Sequence, residues 1–218
     1  MLYQNYIWDF DGTIFDSYPH TCEVFWSVLG EEGLQDRLTK DELMAHLLVS
    51  FGDAKRFSGI SAEGYKRFDQ ITHLLGNAET KPLVVPYPDC EKVLKAVVDA
   101  GGKNFIYTHR NATTMWYLWK YGMLGYFTDV VLSEEKFPGK PAPDALLALM
   151  ERNGLAKEEC IMVGDREIDG LSGKNAGIAG ALVNYPDALP DGRNPAEVSV
   201  LDYTAKNLTA FAELMGIL

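Results

Sequence analysis

The sequence is poor in cysteine and lacks an excess of positive charge. Its 218 residues include only three cysteines, Cys22, Cys90 and Cys160, which lie far apart without metal-ligand spacing. So sparse and odd-numbered a set excludes a disulfide framework and favours a reducing, cytoplasmic environment. Lysine and arginine number 20 against 31 acidic residues, which gives a formal net charge of −11. That charge excludes non-specific binding to nucleic acid or an anionic membrane, because both require positive surface.

Long apolar runs are also missing. No run approaches the roughly 20 residues that a membrane-spanning helix needs, so no membrane association is expected. The opening MLYQNYIWDF has no basic segment and soon reaches an acidic residue, so no secretory signal is expected either. The length suits one large domain, or a core domain that carries a smaller insertion.

What the sequence does contain is an alternation of short apolar runs and helical patterns. The runs predict five strands, at 3–9, 103–109, 129–133, 160–165 and 180–185. Between them, helices are predicted at 88–102, 111–124 and 141–154. Such alternation predicts an α/β fold, a parallel sheet built from βαβ units with right-handed crossovers.

Residues 16–84 depart from this alternation, because no strand pattern appears there for about seventy residues. Three helices are predicted instead, at 20–33, 39–52 and 61–76. We therefore expect a helical cap at 16–84, inserted into a core made of residues 1–15 and 85–218. Asp16 and Ser17 stand at the entry to this cap, where a hinge would allow it to open and close.

Polar residues that could catalyse a reaction or bind a ligand follow four of the predicted strands. Ligands of open α/β sheets bind outside the carboxyl ends of the strands, so these residues are expected to converge. They are Asp9 and Asp11 after the first strand, Thr108, His109 and Arg110 after the second, Lys140 after the third, and Asp165 and Asp169 after the fourth. Each alone has an ordinary interpretation; Asp-Gly, for example, is a common turn pair. Their joint placement in one βαβ frame favours a catalytic site.

The residue types suit phosphoryl transfer, which depends mainly on positioning and charge neutralisation. Asp9 and Asp165 can supply the carboxylates that Mg²⁺ prefers, and the cation would favour an ionised, nucleophilic Asp9. Asp11 is the candidate to protonate the leaving alcohol and later accept a proton from water. Thr108 is expected to hydrogen-bond a phosphoryl oxygen, and Lys140 to neutralise charge on the phosphoryl group and on Asp9.

The same segments resemble the haloacid dehalogenase superfamily. DFDGT, IYTHR, GKPAPD and GDREID match its four motifs in order, and the insertion falls where its phosphatase branch has a helical cap. The resemblance is strongest to the phosphoglycolate phosphatase group, and it implies a Rossmann-like core, Mg²⁺ and an aspartyl-phosphate intermediate. It also implies that the Asp11 backbone carbonyl binds the metal. Asp169, four residues after Asp165, is expected to hold a metal-bound water or to orient Lys140. The segment Thr108-His109-Arg110 departs mildly from the family, which often has a small or amide residue after this threonine.

Other residues are candidates for contact with the substrate, which is expected to be a small phosphorylated metabolite. His109 and Arg110 are two, with a structural hydrogen bond as the alternative. Lys55 and Arg56 in the cap are candidates for binding a remote anionic group, with a solvated helix end as the alternative. Arg166 is interpreted as a residue that stabilises its loop. The sequence does not name the substrate or the oligomeric state.

Several other functions share part of this pattern. A sugar phosphate mutase resembling β-phosphoglucomutase has the same core motifs and returns the phosphate to a second hydroxyl. A phospho-acceptor receiver domain is disfavoured by the Asp9–Asp11 pair, Asp169 and the helical insertion. A catalytically silent relative would be expected to lose at least one of the four motifs, and none is missing. A dinucleotide-binding oxidoreductase is disfavoured by the acidic turn after the first strand, where such folds place glycines.

Overall fold

The computed structural model of the chain describes residues 1–74 and 84–218. Its strands are β1 (Asn5–Trp8), β2 (Phe15–Asp16), β3 (Val85–Pro86), β4 (Lys103–Tyr107), β5 (Phe127–Val131), β6 (Cys160–Gly164), β7 (Ala179–Val183) and β8 (Tyr203–Ala205). Its α-helices are α1 (Tyr18–Glu31), α2 (Lys40–Val49), α3 (Phe51–Ser58), α4 (Ala62–Leu74), α5 (Cys90–Asp99), α6 (Thr113–Lys120), α7 (Asp144–Asn153), α8 (Glu167–Ala176), α9 (Pro195–Val198) and α10 (Leu208–Leu214).

Six strands form one parallel sheet in the order β5-β4-β1-β6-β7-β8. The predicted α/β class and all five predicted strands are confirmed, although β5 begins two residues earlier than expected. The sixth strand, β8, was not predicted, since its three residues are too short to show a period. The three cysteines are free and buried. Among the described residues, no helix has the length and apolar character required to cross a bilayer.

The central position of β1 follows from its residues, all of which are buried. Tyr6 and Trp8 pack on one face with side chains from α5, α6 and α10, and Ile7 packs on the other with side chains from α7 and α8. A strand covered on both faces reads as a continuous apolar run, which is the pattern of YIW. Because β4 and β6 flank β1 in parallel, all three end at the same edge of the sheet.

Residues between β2 and β3 contribute only helices to the described structure. Three helices were predicted here and four are observed, so the predicted number was wrong. The helix predicted at 39–52 is divided, because α2 ends at Val49 and α3 begins after its N-cap residue Ser50. The Ser50 hydroxyl accepts a hydrogen bond from the Asp53 N–H (2.9 Å) and so caps α3. The end of the third predicted helix, at 75–76, lies outside the described residues. Helices α1–α4 have their own apolar cluster, which includes Phe25, Leu43 and Phe68.

Candidate active site

Four of the predicted site residues meet at the carboxyl edge of the sheet. Asp9 and Asp165 directly follow β1 and β6, which are adjacent strands, so their side chains emerge together. The Lys140 ammonium lies 2.7 Å from Asp9 Oδ1 and 2.8 Å from Asp169 Oδ1, and all three side chains are buried. Asp169 lies in the first turn of α8, where its Oδ2 accepts from the Arg166 N–H (3.0 Å). The expected convergence is therefore observed for Asp9, Lys140, Asp165 and Asp169.

Three of these residues have the composition of a cation site. Carboxylate oxygens of Asp9, Asp165 and Asp169 lie within 4.8 Å of one another, and Asp9 Oδ2 is buried without a hydrogen-bond partner among the described residues. Burial raises the pKa of Asp9 to about 6 although Lys140 opposes the shift, and burial with nearby acids raises the pKa of Asp165 to about 7. Burial alone would also raise the pKa of Asp169, but Lys140 and Arg166 together lower it. Crowded hard oxygen donors with surplus negative charge fit Mg²⁺.

Side chains of the turn after β1 and of α1 hold Asp165 in place. The Tyr18 hydroxyl donates to Asp165 Oδ2 (2.7 Å) and the Thr13 hydroxyl donates to Oδ1 (3.3 Å). Asn184, just after β7, donates to the carbonyl of Thr13 (2.7 Å). Gly12 adopts φ +77°, and a Cβ there would lie 2.4 Å from Asp165 Oδ2, so only glycine fits. Tyr18 and Asn184 were not among the predicted site residues, because no local sequence pattern marks either one.

Asp11 has a different partner. Arg110 donates from Nε to both Asp11 oxygens (3.0 Å each) and from Nη2 to Oδ1 (2.8 Å). The guanidinium is nearly buried, with side chains 5% exposed for Arg110 and 20% for Asp11, and it lies near the rings of Phe10 and Tyr117. Burial would raise the pKa of Asp11, but Arg110 more than offsets this and lowers it. Arg110, expected to contact substrate or make a structural hydrogen bond, thus forms a bidentate ion pair that favours the ionised form of Asp11.

Thr108 and His109 complete the core side of the site. The buried Thr108 hydroxyl accepts a hydrogen bond from the backbone N–H of Arg110 (3.1 Å). His109 Nε2 accepts from the Lys140 N–H (3.0 Å), which ties the two loops together. Crowding by protein atoms, together with the charge of Lys140, lowers the pKa of His109 to about 4, although part of the residue remains exposed. His109 is therefore neutral at pH 7 and makes the structural hydrogen bond that was one of its two predicted roles.

A cavity of about 220 Å³ separates this edge from the helical segment. Its wall consists of Asp9, Asp11, Thr108, His109, Arg110 and Arg166 on one side, and Tyr18, Phe51, Phe68, Asp69 and Thr72 on the other. Lys55 and Arg56 are not part of that wall. Lys55 Nζ lies 4.5 Å from the centroid of the Tyr65 ring, and Arg56 pairs with Asp53 (2.8 Å). The structure therefore does not bring these two candidates together with the other site residues.

The chain has the fold of solved hydrolases and phosphatases. A predicted phosphoglycolate phosphatase from Haemophilus somnus superposes with a TM-score of 0.79 at 17% identity, over 98% of both chains. A predicted phosphatase from Clostridium acetobutylicum gives a TM-score of 0.78 at 17% identity, over 100% of both chains. These likenesses confirm the Rossmann-like α/β class.

The family follows from sequence comparison. The haloacid dehalogenase-like hydrolase family matches residues 6–183, and the chain belongs to this family of enzymes. Pyrophosphatase PpaX of Halalkalibacterium halodurans is 28% identical, over 97% of this chain and 96% of its own. A phosphoglycolate phosphatase of Vibrio parahaemolyticus is also 28% identical, over 96% of this chain and 94% of its own.

Proposed function

We propose that the chain is a Mg²⁺-dependent phosphatase that hydrolyses a small phosphomonoester through an aspartyl-phosphate on Asp9. The observation that carries this proposal is the state of the Asp9 carboxylate. Lys140 fixes Oδ1, while Oδ2 has no hydrogen-bond partner among the described residues, and Asp9 borders the cavity. A carboxylate held on one oxygen and available on the other is suited to attack phosphorus.

Asp9 and Asp165 would hold the cation, with the backbone carbonyl of Asp11 as the further ligand that the family resemblance implies. When bound, Mg²⁺ supplies positive charge that neutralises phosphoryl oxygens and favours the ionised form of Asp9. Asp169 already pairs with Lys140 (2.8 Å), which supports a role in orienting that lysine.

The chain's own residues account for both halves of the reaction. Asp9 Oδ2 attacks phosphorus, the bond to the leaving alcohol breaks, and Asp11 protonates that alcohol. Water then attacks the acyl phosphate, Asp11 takes its proton, and inorganic phosphate leaves with Asp9 restored. Thr108 accepts from the Arg110 N–H, so its own hydroxyl proton remains available for a phosphoryl oxygen. The proton that Asp11 takes from water in the second half is the one it gives to the leaving alcohol of the next cycle, so Asp11 must enter the first half protonated. The Arg110 pair favours ionised Asp11 and thus supports the base role of the second half.

We also propose that residues 16–84 form a cap over the cavity and contribute to substrate selection. Phe51, Phe68 and Thr72 of this segment border the cavity opposite Asp9. At about 220 Å³ the cavity is smaller than usual drug-sized ligand pockets, which supports a compact substrate. The relatives named phosphoglycolate phosphatase and pyrophosphatase support a small phosphorylated compound, and phosphoglycolate is the first one to test.

The test is a screen of phosphorylated metabolites and one aryl phosphate for release of inorganic phosphate. We expect turnover that requires Mg²⁺ and is abolished in Asp9→Asn with its fold intact, because the nucleophile is lost. Asp187→Asn is the matched control, since Asp187 is a surface residue whose side chain is 98% exposed. Turnover that persists in excess chelator, or in Asp9→Asn, would contradict the proposal. Isomerised phosphate esters without free phosphate would indicate the mutase instead.

A further inference from the structure

Three cations surround the Asp9 carboxylate, and they differ in how fully they are engaged. Lys140 is completely buried between Asp9 and Asp169 and does not border the cavity. Arg110 borders the cavity, but its Nε and Nη2 are both bound to Asp11. Turning either cation fully toward a ligand would break a short ion pair, and breaking a buried pair leaves an uncompensated charge.

Arg166 is the exception. It borders the cavity beside Asp9, and together with Asp165 it also borders a second cavity of about 280 Å³. Its Nε is buried and donates to no acceptor among the described residues. The nearest ion pair, to Asp169 Oδ2, is long at 4.0 Å, and the side chain is only 14% exposed. A largely buried guanidinium whose buried Nε has no acceptor is an unusual arrangement, because unsatisfied buried donors destabilise the fold.

The position of Arg166 is suited to an anion. It is the N-cap residue of the ten-residue helix α8, so it stands where the helix dipole favours negative charge. Its planar guanidinium presents several N–H donors in a fork that matches the spacing of phosphoryl oxygens. The three nearby carboxylates attract the guanidinium but leave its Nε donor unused.

We propose that Arg166 is a substrate-binding residue whose guanidinium donates hydrogen bonds to the oxygens of the phosphoryl group. This role deepens the proposed phosphatase function and rests on it for the identity of the ligand. It replaces the interpretation of Arg166 as a residue that stabilises its loop. The loop has another tie in any case, because the backbone N–H of Arg166 donates to Asp169 whatever the side chain.

The experiment measures binding of inorganic phosphate by calorimetry in the presence of Mg²⁺. The proteins are the wild type, Arg166→Gln, Arg166→Lys and the control Arg193→Gln. Arg193 borders the second cavity but not the one that Asp9 borders. It pairs with Asp191 (2.7 Å) and its side chain is 61% exposed, so its loss removes a mostly solvated charge outside the cavity beside Asp9. We expect Arg166→Gln to weaken phosphate binding about tenfold to a hundredfold, as for the loss of charge-assisted hydrogen bonds. Arg166→Lys keeps the charge without the forked guanidinium, so its phosphate affinity is expected to lie between those of the wild type and Arg166→Gln. Arg193→Gln is expected to bind phosphate like the wild type.

A second measurement separates ligand binding from a structural role. Mn²⁺ binding is followed by electron paramagnetic resonance, and the unfolding midpoint by a thermal scan. Arg166→Gln is expected to bind Mn²⁺ as tightly as the wild type or more tightly, because a positive charge has been removed beside the same carboxylates. Weaker binding of both Mn²⁺ and phosphate, together with a lower unfolding midpoint, would overturn the inference in favour of a structural role.

Other outcomes are equally decisive. Phosphate affinity in Arg166→Gln within about twofold of the wild type would overturn the inference. If that variant does not fold, an unchanged affinity in Arg166→Lys would overturn it and a clear loss would support it. Phosphate binding that depends on Arg166 in a protein that hydrolyses no phosphomonoester would leave the inference standing and refute the proposed function. If the wild type hydrolyses a phosphomonoester but its phosphate affinity does not depend on Arg166, the proposed function stands and the inference about Arg166 is refuted.

Discussion

The Arg110–Asp11 ion pair shows how one side chain can decide the state of another in this site. Asp11 follows β1, where a carboxylate stays ionised only if something balances its charge. Arg110 supplies that balance with three short hydrogen bonds in a nearly dry setting. The pair therefore fixes the direction of the residue proposed as the acid and base, and it favours the ionised form from which that residue accepts a proton.

Replacing Arg110 by Gln is expected to lower the free energy of unfolding by about 2–4 kcal/mol, because it leaves the Asp11 charge unpaired in a mostly buried place. Denaturant unfolding measures the change. The control is Arg56→Gln, because the Arg56 side chain pairs with Asp53 but is 76% exposed. This substitution is expected to change the free energy of unfolding by less than about 1 kcal/mol. The double variant with Asp11→Asn should recover part of the loss. Equal effects of the two arginine substitutions would show that the ion pair stabilises nothing.

At the scale of the elements, the turn between β1 and β2 matters most for the site. Its carbonyls accept hydrogen bonds from Asn184 after β7, and its Thr13 hydroxyl reaches Asp165 after β6. Three segments distant in sequence are thus held in one register at the sheet edge. Gly12 allows the close approach, since its position leaves no room for a side chain.

Gly12→Ala is expected to destabilise the fold by more than about 2 kcal/mol and to abolish Mg²⁺ binding. The added methyl group would meet Asp165 Oδ2 and Tyr18 Cε2 at 2.4 Å, in addition to the strain of φ +77°. Gly122→Ala is the matched control, because Gly122 has φ +72° but a Cβ there meets nothing within 4 Å. That variant should show only the backbone strain, about 1–2 kcal/mol. If both variants bind Mg²⁺ like the wild type, the close approach does not support the site.

At the scale of the whole molecule, stability should be linked to pH and to the cation. Asp9 and Asp165 have pKa values of about 6 and about 7 in the fold, against an ordinary 3.8. The folded protein therefore retains protons that the unfolded chain has lost. This contribution to stability is fully present below about pH 4 and disappears as the pH rises through 7. His109, with its pKa lowered to about 4, acts oppositely below about pH 6.5, so the effect is clearest above that pH.

In excess chelator, the unfolding midpoint is therefore expected to fall between pH 6.5 and 8.5. At pH 8.5, Mg²⁺ at about 100 times its dissociation constant should add about 2.7 kcal/mol, or roughly 5–10 °C. Asp165→Asn should lose most of the response of the unfolding midpoint to pH and to Mg²⁺, because it removes a carboxyl group with a raised pKa that is also a proposed ligand of the cation. Asp187→Asn, at the surface, should keep them. A Mg²⁺ response of the same size in Asp165→Asn would place the cation elsewhere.

Much of the fold and part of the site were determined by the sequence alone. Strands and helices follow from patterns that span a few residues, so the parallel sheet and the positions of Asp9, Thr108, Lys140 and Asp165 at its strand ends were predictable. Their convergence then follows from the rule that parallel strands end at one edge. The observed contacts of Lys140 with Asp9 and Asp169 match that expectation, while the catalytic roles stay predictions.

Only the tertiary structure decided which side chains meet across long separations. Arg110 and Asp11 are 99 positions apart, Tyr18 and Asp165 are 147 apart, and neither pair leaves a local pattern. Packing likewise placed Lys55 and Arg56 away from the cavity wall and left the Arg166 Nε without an acceptor. The physical reason is that local patterns encode burial and period, whereas the partner of a charged group depends on which distant segments the folded core brings within hydrogen-bonding distance.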